Sequence, residues 1–170
     1  GRATAVLLAR QGASVFLVDV VKDAVEQTRQ TIEDEGFVCA THLCDMLDSA
    51  AVKKMVQACV DRFKRVDILI NNAGGALTPA DRSYPSITPE EDTVFLMDVN
   101  YMSTVHCCQA VAQIMKSQGC GSIINISSQS GITTYKQGLL SAYAASKTGL
   151  WGLTKALAVE NAGKNITINR

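Results

Sequence analysis

Five short apolar runs alternate with segments of helical spacing, and this alternation constrains the fold more than any other feature. The runs are only three to five residues long, rich in β-branched side chains and nearly continuous in apolar character. Such runs are typical of strands buried on both faces of a parallel sheet. We therefore predict strands at Ser14–Val18, Val38–His42, Val66–Ile70, Ser122–Ile126 and Ile166–Ile168.

The intervening segments carry helix start and stop signals. Asp48 is a good N-cap, and Gly12 and Gly36 suit the residue after a helix end. Alternating strands and helices predict right-handed βαβ crossovers and an α/β, doubly wound parallel sheet in a single domain, residues 1–170. The predicted helices are Ala3–Gln11, Lys22–Glu35, Ser49–Phe63, Val99–Ser117 and Ala142–Glu160. A capping box at Thr88-Pro89-Glu90-Glu91 predicts one more helix start, with Thr88 as the cap.

Composition excludes several classes of protein. The 16 basic and 16 acidic residues cancel, which argues against a nucleic-acid or anionic-membrane partner. No apolar run reaches the roughly 18 residues that a membrane helix needs. The six cysteines form no Cys-x-x-Cys pair and the two histidines have no spaced cysteine, so no metal site is predicted. With no visible signal peptide, unpaired thiols favour a cytoplasmic location.

The start of the chain resembles half of a dinucleotide-binding turn. Gly1 opens a helix, and Asp19 ends the next strand 18 residues later, close to the spacing such folds use. We expect Gly1 to be the last glycine of that turn. The sequence leaves open that Gly1 has no role and that Asp19 only caps a helix. Because no strand precedes the first helix and the chain closes inside a predicted strand, we expect the first strand and the C-terminal part of the fold to be missing.

Asp19 also predicts the choice of cofactor. A carboxylate at this position would accept hydrogen bonds from ribose hydroxyls and repel a 2′-phosphate. At about 4 Å and an effective dielectric near 20, each unit charge pair costs up to about 4 kcal/mol. NAD is therefore expected rather than NADP, with the nearby Lys22 softening the preference.

Three later motifs, in this order, identify a family. They are Asn71-Asn72-Ala73-Gly74, Asn125-Ile126-Ser127-Ser128 with Gly131 beyond, and Tyr143-Ala144-Ala145-Ser146-Lys147. Together they resemble a classical short-chain dehydrogenase/reductase, a Rossmann-like fold, and the resemblance covers essentially the whole chain.

The residue types of the last motif suggest an acid/base pair. Tyr143 and Lys147 are four residues apart and share a helix face. A phenol of ordinary pKa near 10 is a poor base at neutral pH. An ammonium about 4 Å away, at an effective dielectric near 20, stabilises a phenolate by about 4 kcal/mol. Tyr143 is therefore predicted to exchange the substrate proton, with Ser128 orienting the substrate oxygen.

The resemblance implies roles for the remaining residues. Lys147 would also hold the nicotinamide ribose, and Asn100 would anchor a water that links Lys147 to solvent. Asp45 would contact adenine, and three small or polar residues would lie against the adenosine: Asn72, Ala73 and Gly74. Ser127 remains an alternative to Ser128, and Asn100 could merely cap or bend its helix. Lys136-Gln137-Gly138 is interpreted as a local insertion.

The predicted activity is hydride transfer between NAD(H) and an alcohol or carbonyl: a secondary alcohol, diol, sugar or steroid-like molecule. An NADPH-dependent 3-oxoacyl-thioester reductase and a dinucleotide-binding member without turnover are the alternatives. The resemblance also implies a homodimer or homotetramer built on the helices that carry Asn100 and Tyr143. Residues 1–170 alone are expected to be unstable and inactive, because the missing strand would have joined two others.

Overall fold

A computed structural model describes all residues from Gly1 to Arg170. The chain divides into two compact units, Gly1–Lys64 and Arg65–Arg170. The first unit contains α1 (Arg2–Arg10), β1 (Val15–Asp19), α2 (Lys22–Asp34), β2 (Cys39–Leu43) and α3 (Ser49–Phe63).

The second unit holds three strands and three helices. In chain order these are β3 (Ile68–Asn71), α4 (Glu90–Met97), α5 (Ser103–Gln118), β4 (Gly121–Asn125), α6 (Ser141–Glu160) and β5 (Ile166–Asn169). A π-helical turn, Asp98–Met102, joins α4 to α5 without a break. Short 3-10 turns lie at Ala80–Arg82, Gln129–Gly131 and Lys136–Gly138.

Every strand pair is parallel, as the short apolar runs predicted. β1 pairs with β2 in the first unit, and β3, β4 and β5 lie in that order in the second. All five predicted strands are present, each within about two residues of its expected limits. β1 pairs only with β2, and β3 pairs only with β4.

Packing in the first unit follows from the apolar faces of α1 and α2. Their buried side chains meet those of β1 and β2 in one cluster: Ala9, Leu17, Val25, Ile32 and Cys39. Gly12, just after α1, has φ +91°, a conformation that glycine adopts without strain. The Asp48 carboxylate caps α3 as predicted, accepting from the Ala50 and Ala51 amides at 2.8 and 3.1 Å.

The capping box predicted at Thr88 is wrong. α4 begins one residue later, with Pro89 as an N-cap that makes no side-chain cap. The Thr88 hydroxyl instead donates to the Tyr84 carbonyl oxygen at 2.7 Å. This bond turns the Thr88 hydroxyl back toward the preceding turn, and its oxygen does not cap α4.

Candidate active site

The candidate site of the second unit begins where β3 and β4 end. These neighbouring parallel strands pair Asn71 with Asn125 at their last residues. Their carboxyl ends therefore lie at one edge of the sheet, where open α/β sheets bind ligands. The Asn72-Ala73-Gly74 turn follows β3 and is exposed, and Ser127 and Ser128 follow β4.

A buried hydrogen-bond network fixes these two strand ends. The Asn71 amide donates to the side-chain oxygen of Asn125 at 2.8 Å, and Asn125 donates to the Thr154 hydroxyl of α6 at 3.0 Å. The Cys108 thiol of α5 lies 3.7 Å from the same Asn125 oxygen. Burial raises the pKa of Cys108 to about 11, which keeps it a neutral thiol. The network connects β3, β4, α5 and α6.

Asn100 locks the turn after β3. It lies in the π-helical turn and is fully buried. Its side-chain oxygen accepts from the Gly75 amide at 2.9 Å, and its amide donates to the Gly75 and Leu96 carbonyls, both at 3.0 Å. A Cβ on Gly74, which has φ +126°, would lie 2.4 Å from that oxygen. Asn100 thus requires glycine at position 74.

α6 brings Tyr143 and Lys147 together, as their spacing predicted. The Lys147 ammonium lies 5.9 Å from the centre of the Tyr143 ring. It also donates to the Ile126 carbonyl oxygen at 2.9 Å, beside the end of β4. Lys147 is only 4% exposed, and this burial lowers its pKa.

The two serines after β4 have different hydrogen bonds. The Ser127 oxygen lies 3.2 Å from the Lys147 carbonyl and 3.1 Å from the Trp151 indole nitrogen, so its hydroxyl is engaged. The Ser128 oxygen accepts from the Ser130 amide at 3.2 Å, and its hydrogen is left for a substrate oxygen. This difference favours Ser128 over Ser127 as the substrate-binding serine.

The segment between Ser128 and Tyr143 is held close to α6. A Cβ on Gly131 would lie 3.1 Å from the Thr148 backbone nitrogen, and the Thr148 hydroxyl donates to the Gly131 carbonyl at 3.0 Å. Lys136-Gln137-Gly138, the segment that the sequence analysis interpreted as a local insertion, forms a 3-10 turn in which Lys136 and Gln137 have positive φ.

Ser83 anchors the end of this segment, and no sequence motif pointed to it. Its hydroxyl accepts from the Leu140 amide at 3.2 Å, and its carbonyl accepts from the Ser141 amide at 3.1 Å. Ser83 itself is buried. The first residue of α6 is thereby tied to the chain before α4.

In the first unit, Asp19 and Asp45 lie at one sheet edge. Asp19 is the last residue of β1, and Asp45 lies two residues after the end of the paired strand β2. The Asp19 carbonyl accepts from the Cys44 amide at 3.2 Å. One carboxylate oxygen of Asp19 accepts from the Val21 amide at 3.0 Å, and one of Asp45 accepts from Leu47 at 2.9 Å. Both side chains are exposed, so a second oxygen of each can face a ligand.

Gly1 precedes the first turn of α1, and its carbonyl accepts from the Ala5 amide at 2.9 Å. A helix N-terminus of this kind attracts phosphate, and no acidic residue of α1 opposes one there.

The structure contains no group of three or more His, Cys, Asp or Glu side chains that could hold a metal ion. No helix has the length and apolar character needed to cross a membrane.

In the second unit, the Asn72-Ala73-Gly74 turn and Lys147 are the residues that could hold a cofactor. The exposed turn at Gly74 has no side chain that would block a close approach, and Lys147 has an ammonium held at the same sheet edge. Fold and site together define a Rossmann-like α/β protein. The family model described as short chain dehydrogenase matches residues 1–170, and the chain belongs to that family.

Relatives and solved structures agree with this assignment. A 3-oxoacyl-(acyl-carrier-protein) reductase of Thermotoga maritima is 34% identical over 99% of the chain, and a levodione reductase of Leifsonia aquatica is 37% identical over 99%. The chain spans 66% and 62% of the length of these two curated relatives. The crystal structure of an NAD+-bound xylitol dehydrogenase superposes with a TM-score of 0.93 at 29% identity, covering 99% of this chain and 63% of that one. The family binds NAD or NADP.

Proposed function

We propose that the protein is an NAD(H)-dependent oxidoreductase that interconverts an alcohol and a carbonyl compound. The observation that carries the proposal is the Lys147 ammonium beside the Tyr143 ring, at the strand edge where the Ser128 hydroxyl hydrogen has no partner. The xylitol and levodione enzymes among the similar proteins support a hydroxyl or ketone substrate. Secondary alcohols, diols, sugars and steroid-like molecules are the proposed classes.

Tyr143 is the proposed acid and base. In the oxidative direction its phenolate removes the hydroxyl proton, and in the reductive direction its hydroxyl returns it. The Lys147 ammonium lies 5.9 Å from the centre of the Tyr143 ring, so a positive charge faces the proposed acid and base. Because Lys147 is buried and bonded to Ile126, that charge is held in place rather than free in solvent. Bound NAD+ supplies the hydride acceptor and a further positive charge.

Ser128 is proposed to hold the substrate oxygen next to Tyr143. Its oxygen accepts from the Ser130 amide, and its hydroxyl hydrogen has no partner in the protein and would donate to the substrate. The proposed role of Asn100 has two parts. Its side chain shapes the Gly74–Gly75 turn, and its water-anchoring role remains a proposal that the family resemblance suggests.

The cofactor contacts are proposed for each unit separately. In the first unit, Gly1 would face the pyrophosphate, Asp19 the adenosine ribose and Asp45 the adenine. In the second, the Asn72-Ala73-Gly74 turn would lie against the adenosine and Lys147 would bind the nicotinamide ribose. NAD is preferred over NADP because the exposed Asp19 carboxylate would repel a 2′-phosphate.

A fluorescence titration of NADH against NADPH tests this proposal, using the protein as its gene encodes it. We expect NADH to bind at least about 10-fold more tightly, a difference of about 1.4 kcal/mol. Asp19→Asn should reduce the ratio, whereas Asp23→Asn, a matched exposed aspartate in α2, should not. Tighter NADPH binding would contradict the role of Asp19 and favour the 3-oxoacyl-thioester reductase. No binding of either by a folded protein would contradict the enzyme proposal.

We also propose a partner, a cellular location and an assembly state for the whole protein. A small-molecule substrate is the expected partner, in the cytoplasm. A homodimer or homotetramer is proposed because α4 exposes Val94 and Phe95, at 51% and 40%, next to the turn that carries Asn100. Light scattering on the whole protein tests the assembly, and a monomer would contradict it.

A further inference from the structure

The single tryptophan of the chain connects two parts of the candidate site. Trp151 lies one helical turn beyond Lys147 in α6, and its indole nitrogen donates to the Ser127 hydroxyl oxygen at 3.1 Å. The Ser127 hydroxyl donates to the Lys147 carbonyl oxygen at 3.2 Å. Two hydrogen bonds thus form a relay from the indole through Ser127 to the backbone of the lysine.

The chemistry of the three groups fixes the direction of the relay. An indole N–H can only donate, and a carbonyl oxygen can only accept. The Ser127 oxygen therefore accepts from Trp151, and its single hydrogen is donated to the Lys147 carbonyl oxygen. The Lys147 carbonyl therefore takes the Ser127 hydrogen while the indole holds the Ser127 oxygen, which leaves Ser128 as the serine with a hydrogen to donate.

The relay adds a second hydrogen-bonded connection between the end of β4 and α6. The Lys147 ammonium already reaches back to the Ile126 carbonyl at 2.9 Å. Ile126 and Ser127 are consecutive. The segment just before Ser128 is therefore bonded to the side chain of Lys147 through Ile126 and to the backbone carbonyl of Lys147 through Ser127. Displacing either bond would change the distance between the Ser128 hydroxyl and the Lys147–Tyr143 pair.

A cation holds the indole in place. The guanidinium carbon of Arg170, just after β5, lies 3.3 Å from the centre of the Trp151 ring. Cation–π contact of this kind is favourable, and tryptophan is the best aromatic partner for it. The indole is therefore fixed on one side by Arg170 and on the other by Ser127.

We infer that Trp151 is a positioning residue, which acts through Ser127 to set Ser128 and Lys147 in the geometry for proton exchange. The inference rests on the proposed dehydrogenase function. It assigns to Trp151 and Ser127 a role in the reaction without contact with the substrate.

The test compares four single variants and the Trp151→Phe/Ser127→Ala double variant with wild type, using NAD+ and the best substrate from a panel of secondary alcohols, diols and sugar alcohols. Trp151→Phe keeps an aromatic ring at this position but removes the N–H, and Ser127→Ala removes the hydroxyl. Ser127→Thr retains the hydroxyl. Ser117→Ala is the matched control, because Ser117 lies on exposed α5 surface and its hydroxyl bonds only the Gln113 carbonyl.

We expect Trp151→Phe and Ser127→Ala each to lower kcat about 10-fold, since small displacements of reacting groups cost this much or more, while the substrate KM stays within about twofold. The double variant should lose little more than either single one, because both interrupt the same relay. Ser127→Thr should recover most of kcat, and Ser117→Ala should match wild type.

Three results would overturn the inference: wild-type kcat in Trp151→Phe, additive losses in the double variant, or no recovery in Ser127→Thr. An NADH titration separates these from failure of the proposed function. If wild type turns over no substrate, the dehydrogenase proposal fails. The relay is then judged by NADH affinity alone, which should fall about threefold in Trp151→Phe and Ser127→Ala and not in Ser117→Ala. Equal affinities would overturn it.

Discussion

At the scale of single residues, Gly74 shows how closely the turn after β3 is fitted. Its φ of +126° and the 2.4 Å approach of any Cβ to the Asn100 oxygen leave no space for a side chain. We expect Gly74→Ala to lower the free energy of unfolding by about 1–3 kcal/mol, the usual cost of a strained backbone. Gly152→Ala is the control, because nothing lies within 4 Å of its added methyl group. It should be neutral or raise stability by up to about 1 kcal/mol. Equal urea-unfolding curves for the two variants would contradict the close packing of Gly74 against the Asn100 side chain.

Lys147 provides a prediction about pH. Burial lowers its pKa below the ordinary 10.5, so between the two values the unfolded chain binds more protons than the folded one. Stability from this group therefore rises as pH increases toward 10.5. We expect the free energy of unfolding of wild type, relative to Lys147→Met, to grow between pH 8 and 10. Lys155→Met, an exposed lysine of the same helix, should show no such growth. A wild-type advantage that stays flat over this range would contradict the assignment.

At the scale of elements, Asn125 is the residue through which two strands and two helices share hydrogen bonds. Asn125→Ala would remove the acceptor of Asn71 and the donor to Thr154 in a fully buried place. A buried polar group without a partner costs about 1–3 kcal/mol, so we expect a loss of about 2–4 kcal/mol in chemical denaturation. Gln113→Ala, an exposed amide on α5, should change stability by less than about 0.5 kcal/mol. A loss below about 1 kcal/mol at Asn125 would contradict the role of the network.

The elements also show which parts of the structure local sequence could predict. Strand limits and most helix limits followed from apolar periodicity and from caps such as Asp48, which act within a few residues. The motif residues Tyr143 and Lys147 meet because helical spacing alone brings them together. The cap predicted at Thr88 is wrong because its hydroxyl bonds back to the Tyr84 carbonyl of the preceding turn and α4 begins after Pro89.

Long-range bonds lay beyond what sequence patterns could indicate. The Ser127–Lys147 bond joins residues 20 apart, and the Ser83–Leu140 bond joins residues 57 apart. Neither serine stands in a periodic pattern or a motif that names its partner. A tryptophan four residues after Lys147 gave no signal of a hydrogen bond to the strand end either, since only the folded sheet brings Ser127 to it.

At the scale of the whole molecule, the sheet topology determines what residues 1–170 can do alone. β1 pairs only with β2, and β3 pairs only with β4, so one edge of each strand has no partner strand. Unpaired backbone groups on a strand edge cost about 1–3 kcal/mol each where they are kept from water, against a total stability of about 5–15 kcal/mol. We expect these 170 residues, produced alone, to show no cooperative thermal transition and no NADH binding. A sharp transition that NADH shifts upward would contradict this.

The most direct test of the central claim is the turnover of NAD+ by Tyr143→Phe, measured in the protein as its gene encodes it. Removing the phenol hydroxyl should lower kcat by about 10²–10⁴-fold, the range for loss of a general acid or base, with NADH affinity unchanged. Tyr84→Phe, the matched control, should retain wild-type turnover. A Tyr143→Phe variant that oxidises its alcohol at the wild-type rate would contradict the assignment of Tyr143 as the acid and base.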